Sequence, residues 1–158
     1  MPHDRADQAA FWNRLTGSVE VERDDDLVLL GTLTEDRFAV LLRDRLEKAH
    51  LDRVLGPGRV GRVLDLAGGA GRMSGWLADR ADDLAVVDSS RELLDAGAHH
   101  ARRRGIEHIH FVEASAVDYA PEPARYDLIL VFGLFCYLDE AQIATVAERC
   151  RRALRPGG

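Results

Sequence analysis

The sequence predicts an α/β fold with a mainly parallel sheet, on three observations. Short apolar runs bounded by turn residues recur along the chain, longer helical stretches separate them, and the first run passes straight into a glycine-rich turn. Repeated strand–helix–strand units with right-handed crossovers set strands side by side in parallel and lay helices over both faces. The expected architecture is a Rossmann-like three-layer sandwich.

The 158 residues suit one compact domain, and 46% of them are hydrophobic, enough for a core of several layers. Residues 1–33 hold an aromatic pair, Phe11 and Trp12, an acidic run from Asp24 to Asp26, and an apolar stretch from Leu27 to Leu30 closed by Gly31. Their position ahead of the first strand makes a lid over the site the expectation for them, with the domain proper over 34–158. From Thr34, a residue suited to capping a helix N-terminus, Phe38, Leu41, Leu42, Leu46 and Ala49 recur at three- and four-residue intervals. This spacing predicts an amphipathic helix with those residues as its apolar face, ending near Gly56-Pro57-Gly58. Strands are expected over Arg62–Leu66, Leu84–Val87, Ile109–Glu113 and Tyr126–Val131. Between them, helices are expected to start near Arg72 and Arg91, and a last one to run from Asp139 to Ala153. Asp139 with Gln142 three residues on has the form of a capping box.

Charge and composition narrow the function. The 21 basic and 27 acidic residues give a net charge of −6, which repels a polyanion, so no nucleic-acid partner is expected. The basic cluster Arg102–Arg104 falls at a predicted helix end, where cations complement the helix dipole. Cys136 and Cys150 form no C-x-x-C pair and no zinc-type spacing, and no Asp/Asn/His cluster has magnesium-ligand spacing, so no metal is expected. His99, His100, His108 and His110 read as surface or helix-end residues. Neither a signal peptide nor a membrane span is visible, which makes the cytoplasm the expected location.

The most informative segment is Val63-Leu64-Asp65-Leu66-Ala67-Gly68-Gly69-Ala70-Gly71-Arg72, an apolar strand opening into small residues and then a helix. Small residues let a ligand approach the backbone, and the helix N-terminus offers unpaired N–H groups. The next strand ends in Asp88, seventeen residues after Gly71. A carboxylate at that edge can accept hydrogen bonds from both hydroxyls of a ribose. Ser89 and Ser90 remain available to cap the helix that follows.

Together these residues resemble class I S-adenosylmethionine-dependent methyltransferases. Asp65 to Gly71 resembles the family's first motif, an acid followed by a G-x-G-x-G turn. Val86-Val87-Asp88-Ser89-Ser90 is similar to the second motif, and Tyr126 to Phe132 to the fourth-strand motif. Leu154-Arg155-Pro156-Gly157-Gly158 matches the turn into a fifth strand, so the C-terminal strands are expected to lie beyond this chain. The four strands present would then leave an apolar edge that invites a homodimer. The resemblance implies S-adenosyl-L-methionine as cofactor, with Asp65, Gly68, Gly69 and Gly71 around the methionine and ribose and Asp88 on the ribose hydroxyls. Ser89 and Phe132 belong to the motifs that would line the site, and Ser115 with Ala116 would meet the adenine. Two departures stand out. Ala67 replaces the first glycine, tolerable if its backbone is not left-handed, and narrows the space beside the methionine. Ser115 stands where the family often has an aspartate, and a neutral hydroxyl binds an amino group more weakly than a carboxylate.

Methyl transfer from a sulfonium needs alignment more than proton transfer, and no general base is evident. Cys136, Tyr137 and Asp139, just after the fourth strand, read first as structural, since Asp139 already caps a helix and aromatic residues pack between helix and sheet, and second as candidate contacts to a small-molecule acceptor. Phe132-Gly133-Leu134-Phe135 lacks the Asn/Asp-Pro-Pro-aromatic signature of base and glutamine methyltransferases. Two rival readings stay open. An NAD-dependent reductase also uses a glycine turn followed by an acid, although Ser74 occupies its third glycine position and Asp65 has no role there. The other is a catalytically silent S-adenosylmethionine-binding domain.

Overall fold

Val63 and Leu64 are neighbours in sequence, project to opposite faces of a strand, and are both fully buried, so the strand carrying them needs cover on both sides. The computed structural model, which describes residues 10–13, 24–29 and 36–158, provides that cover. Strand β1 (Gly61–Leu66) lies between β2 (Ala81–Asp88) and β4 (Leu128–Leu130), and β3 (Ile109–Glu113) pairs with β2. All three pairings are parallel, in the order β3-β2-β1-β4. Among the described residues the named helices are α1 (Asp24–Leu29), α2 (Arg37–Leu55), α3 (Arg72–Leu77), α4 (Arg91–Arg103) and α5 (Glu140–Ala153), with a 3-10 turn at Phe135–Tyr137.

Strand alternation divides the core in two. One face sets Val63, Leu84 and Val86 against Met73 and Leu77 of α3, Leu94 and Ala101 of α4, and Leu51 and Leu55 of α2. The other sets Leu64, Leu66 and Val87 against Val146 and Ala153 of α5. This is the expected three-layer arrangement. Because β1 has β2 on one side and β4 on the other, the chain reverses its direction of winding at the carboxyl end of β1. Ligands of such sheets bind in the crevice opened there.

The structure departs from expectation in several places. Thr34 lies outside the described residues, and the cap of α2 is Asp36, whose carboxylate accepts from the Ala39 N–H at 3.0 Å. The apolar face expected for α2 does not face inward: Phe38, Leu42 and Leu46 are exposed, whereas Val40 and Asp44 are buried. The reason is electrostatic. Asp44 and Glu47 turn inward to meet Arg72 at the start of α3, which fixes the rotation of the helix. Strand β2 begins three residues earlier than expected, because Asp82 and Asp83 interrupt the apolar run yet pair with Arg59 and His110 at the sheet rim. Strand β4 is shorter than expected, and Tyr126 instead makes an isolated parallel bridge to Leu154. His100 stands in the last turn of α4, a helix-end residue as expected, but is buried there, while His108 Nε2 bonds the Ala78 carbonyl at 2.9 Å. The remaining boundaries hold, including the capping box that opens α5.

Candidate active site

The carboxyl ends of β1 and β2 point at the same place, and the turn after β1 is built to leave it open. Ala67, Gly69 and Gly71 all have positive φ, at 59°, 56° and 73°. Ala67 is therefore left-handed, against the condition under which its substitution for glycine is harmless, and the strain is about 1 kcal/mol. The turn is held by Gly68 N–H donating to the Val87 carbonyl at 3.2 Å and Gly71 N–H to the Gly68 carbonyl at 2.9 Å. A side chain at Gly68 would strike the carboxyl of Asp65, whose Cγ lies 2.6 Å from where its Cβ would stand.

Asp65 sits under this turn, 2% exposed, with Ser74 Oγ donating to its Oδ2 at 2.8 Å. Burial pushes its carboxyl up to about 6, against the opposing pull of the Ser74 hydroxyl and the Arg72 charge. Asp88 ends β2 with its carboxylate locked from both sides. Oδ2 accepts from Gly69 N–H at 2.9 Å and Oδ1 from Ser90 N–H at 2.8 Å. Burial raises it too, and these backbone hydrogen bonds hold it down. Ser90, as expected, caps α4 with its own side chain, so that task does not fall to Asp88.

Two hollows meet above these acids. The larger, about 370 Å³, is walled by Asp65, Ala67, Gly68, Gly69, Asp88, Phe132, Cys136 and Tyr137, among others. A smaller recess continues from Asp88 and Ser89 past Ser115, Ala116 and Val117, under Leu134, Leu138 and Gln142. Trp12 and Val28 border the larger cleft from the N-terminal side. Its floor is pinned by Arg72, whose Nη1 reaches Asp44 at 2.7 Å and whose other amino group bonds Glu47 at 2.5 Å. The guanidinium also lies 5.5 Å from the centre of the Phe132 ring.

A sequence profile described as a methyltransferase domain matches residues 63–158, the whole stretch from β1 through the turn after α5. The chain belongs to the class I S-adenosylmethionine-dependent methyltransferases. It is 30% identical over 122 residues to a tRNA 5-carboxymethoxyuridine methyltransferase of Escherichia coli, covering 74% of this chain and 46% of that protein. It is 34% identical over 108 residues to a ubiquinone/menaquinone biosynthesis C-methyltransferase of Rhizobium meliloti, covering 65% and 41%. Its fold superposes on that of a phosphoethanolamine N-methyltransferase of Haemonchus contortus with a TM-score of 0.76 at 18% identity, over 96% of this chain and 30% of that one. The chain spans about half the length or less of these relatives.

Within this methyltransferase domain, nine of the ten residues singled out from the sequence border the two hollows. Gly71 does not. It supplies the left-handed residue before α3, and a Cβ there would come within 3.3 Å of Phe111 and Val86 in the core. Of the acceptor candidates, Cys136 and Tyr137 line the cleft, while Asp139 is occupied in capping α5. Sequence reasoning missed Arg43, Glu47 and Arg72, whose place in the cleft follows from the ion pairs that tie α2 to the start of α3. It also missed Gly97, where a Cβ would stand 2.4 Å from the Ala70 carbonyl oxygen of the turn. No group of His, Cys, Asp or Glu among the described residues is arranged to hold a metal ion. No described helix is long and apolar enough to cross a membrane.

Proposed function

We propose that this methyltransferase domain binds S-adenosylmethionine along the two hollows and passes its methyl group to a small-molecule acceptor in the wider cleft. The observation that carries this reading is the locked carboxylate of Asp88. With one lone pair on each oxygen engaged by a backbone N–H, the remaining pairs are available to accept from two ribose hydroxyls. The chain's residues fit the cofactor. The side-chain-free turn at Gly68 and Gly69 gives a chain of atoms room to cross, Asp65 offers a carboxylate to the ammonium of a methionine moiety, and the recess by Ser115 and Ala116 suits a flat ring. The cofactor, when bound, supplies an electrophilic methyl group on a positively charged sulfur and a neutral thioether as leaving group. The protein then has to hold the acceptor in line and keep water out. Cys136, Tyr137 and Phe132 wall the space where that acceptor would stand. A cleft of about 370 Å³, shared with a cofactor, and a net charge of −6 favour a small molecule over a polyanion as acceptor.

Calorimetric titration with S-adenosylhomocysteine tests the site. Binding is expected, with NADH inert, and Asp88→Ala is expected to weaken it tenfold or more, about 1.4 kcal/mol. Tight NADH binding would overturn the reading in favour of a reductase. Binding without turnover of any acceptor would favour a silent domain.

The N-terminal residues are proposed to act as a lid. Trp12 packs on Ala70 and Leu93, meets the Tyr137 ring edge-on at 5.9 Å, and is followed by Asn13, whose Oδ1 accepts from Ser90 Oγ at 2.6 Å. The segment thus touches both sides of the cleft mouth. Removal of residues 1–33 should weaken S-adenosylhomocysteine binding several-fold, and unchanged affinity would refute the lid.

A further inference from the structure

The capping box at the start of α5 leaves one polar group with no part in it. Asp139 Oδ1 accepts from the Gln142 N–H at 2.8 Å, and Gln142 Oε1 accepts from the Asp139 N–H at 3.0 Å. The second bond settles which end of the amide is which, because a backbone N–H requires an acceptor opposite it. The remaining end of Gln142 is therefore Nε2, a donor only. Gln142 also forms part of the wall of the narrow recess that begins at Asp88 and Ser89 and passes Ser115 and Ala116.

We infer that Gln142 is a cofactor-specificity residue whose Nε2 donates a hydrogen bond to a ring nitrogen of adenine. The inference rests on the cofactor site proposed above. Adenine presents three ring nitrogens that accept and one exocyclic amino group that donates, so a pocket that reads it needs donors as well as an acceptor. Ser115 can take the amino group, but its hydroxyl is a single small contact where a carboxylate would bind more strongly. Val117, Leu134 and Leu138 contribute apolar surface suited to the faces of a flat ring and carry no side-chain donor, and the hydroxyl of Tyr137, which also lines the recess, is engaged with Cys136. Gln142 supplies one from the opposite layer of the fold, on a helix held in place by the cap that engages the other end of its own amide. A merely structural Gln142 would cap the helix and leave ligand choice untouched.

Two titrations separate these roles. Gln142→Glu keeps a carboxylate oxygen for the Asp139 N–H, and glutamate serves in capping boxes as glutamine does, so the unfolding midpoint should stay near that of the wild type. The donor, however, becomes a charged acceptor facing the ring nitrogens. S-adenosylhomocysteine affinity is expected to fall at least tenfold. In the wild type, the 1-deaza, 3-deaza and 7-deaza analogues of S-adenosylhomocysteine each remove one ring acceptor, and one of them should lose about as much. This second arm does not depend on any variant folding. If Gln142→Glu is folded and binds within twofold of the wild type, or if all three analogues bind like the parent, the inference is overturned. Should Asp88→Ala abolish binding while both of those arms stay flat, the ribose site stands and the role of Gln142 alone falls. No binding of S-adenosylhomocysteine to the wild type overturns both.

Discussion

Asp65→Asn is expected to stabilise the ligand-free protein at pH 7 by on the order of 3 kcal/mol while costing it most of its cofactor affinity. The carboxyl is pushed from 3.8 to about 6 by burial, so at neutral pH the native state carries a buried charge that the unfolded chain carries in water. About two pKa units at 1.36 kcal/mol each give the size of that penalty. The sign follows from proton binding. The native state holds the proton more tightly, so this group makes the protein less stable as pH rises from about 4 to about 6, and the full penalty persists above. Asparagine preserves the shape, can still accept from Ser74, and does not titrate. The variant's advantage should therefore be greatest at pH 7 and should shrink toward pH 4, as read from urea unfolding at several pH values. S-adenosylhomocysteine affinity should fall at least tenfold, because an amide cannot balance an ammonium. A wild type that is no less stable than the variant at pH 7 would refute the account. The same linkage predicts that wild-type affinity weakens below about pH 6, where the carboxylate must first lose a proton to bind the cation.

Gly97→Ala is the second large effect, and two opposing terms decide its sign. Replacing a helical glycine by alanine normally stabilises by about 1 kcal/mol. At Gly97 the new methyl would stand 2.4 Å from the Ala70 carbonyl oxygen and 2.8 Å from its carbonyl carbon, atoms of the glycine-rich turn that cannot swing aside as a side-chain tip can. Overpacking of this kind costs about 1–3 kcal/mol, and more where backbone must move. A net loss of about 2 kcal/mol is expected, together with weaker cofactor binding, because the displaced segment is the turn itself. Gly75→Ala is the control. It lies in α3, its nearest neighbour is a flexible Arg104 tip at 3.9 Å, and it should gain the helix-propensity term in full. If Gly97→Ala proves as stable as Gly75→Ala, α4 does not brace the turn as described.

What the sequence revealed and what it hid divide along one line, whether the signal is local. Strand β1, the turn after it and the acid ending β2 were legible because apolar run, glycine and carboxylate follow one another in a fixed order. Gln142 was legible as a capping residue, since its partner is three positions away, but its place in the wall of the recess arises only when α5 packs against the far face of the sheet. The orientation of α2 was misread for the same reason. Phe38, Leu42 and Leu46 have helical spacing, yet the side that turns inward is chosen by Asp44 and Glu47 meeting Arg72, twenty-five or more residues further along. Periodicity registers hydrophobic side chains and takes no account of a charge compensated at a distance. Ala67 is a third instance, because its left-handed φ is imposed by the course of the turn rather than by its own preference. Gly97 resembled any helical glycine until Ala70 was found against it.

Arg72 and its two acids also determine how the molecule responds to ionic strength. At 0.15 M salt, charges in water cease to feel one another beyond about 8 Å, and exposed pairs weaken as ions gather round them. Arg59–Asp82 and Arg151–Glu148, with more than half of each side chain in solvent, are of that kind. Arg72 at 18% and Asp44 at 7% exposure are largely shielded from such ions by the protein around them. Salt thus loosens the rim of the domain while sparing the floor of its cleft, so the region proposed for the chemistry is less sensitive to the surrounding electrolyte than those exposed pairs are.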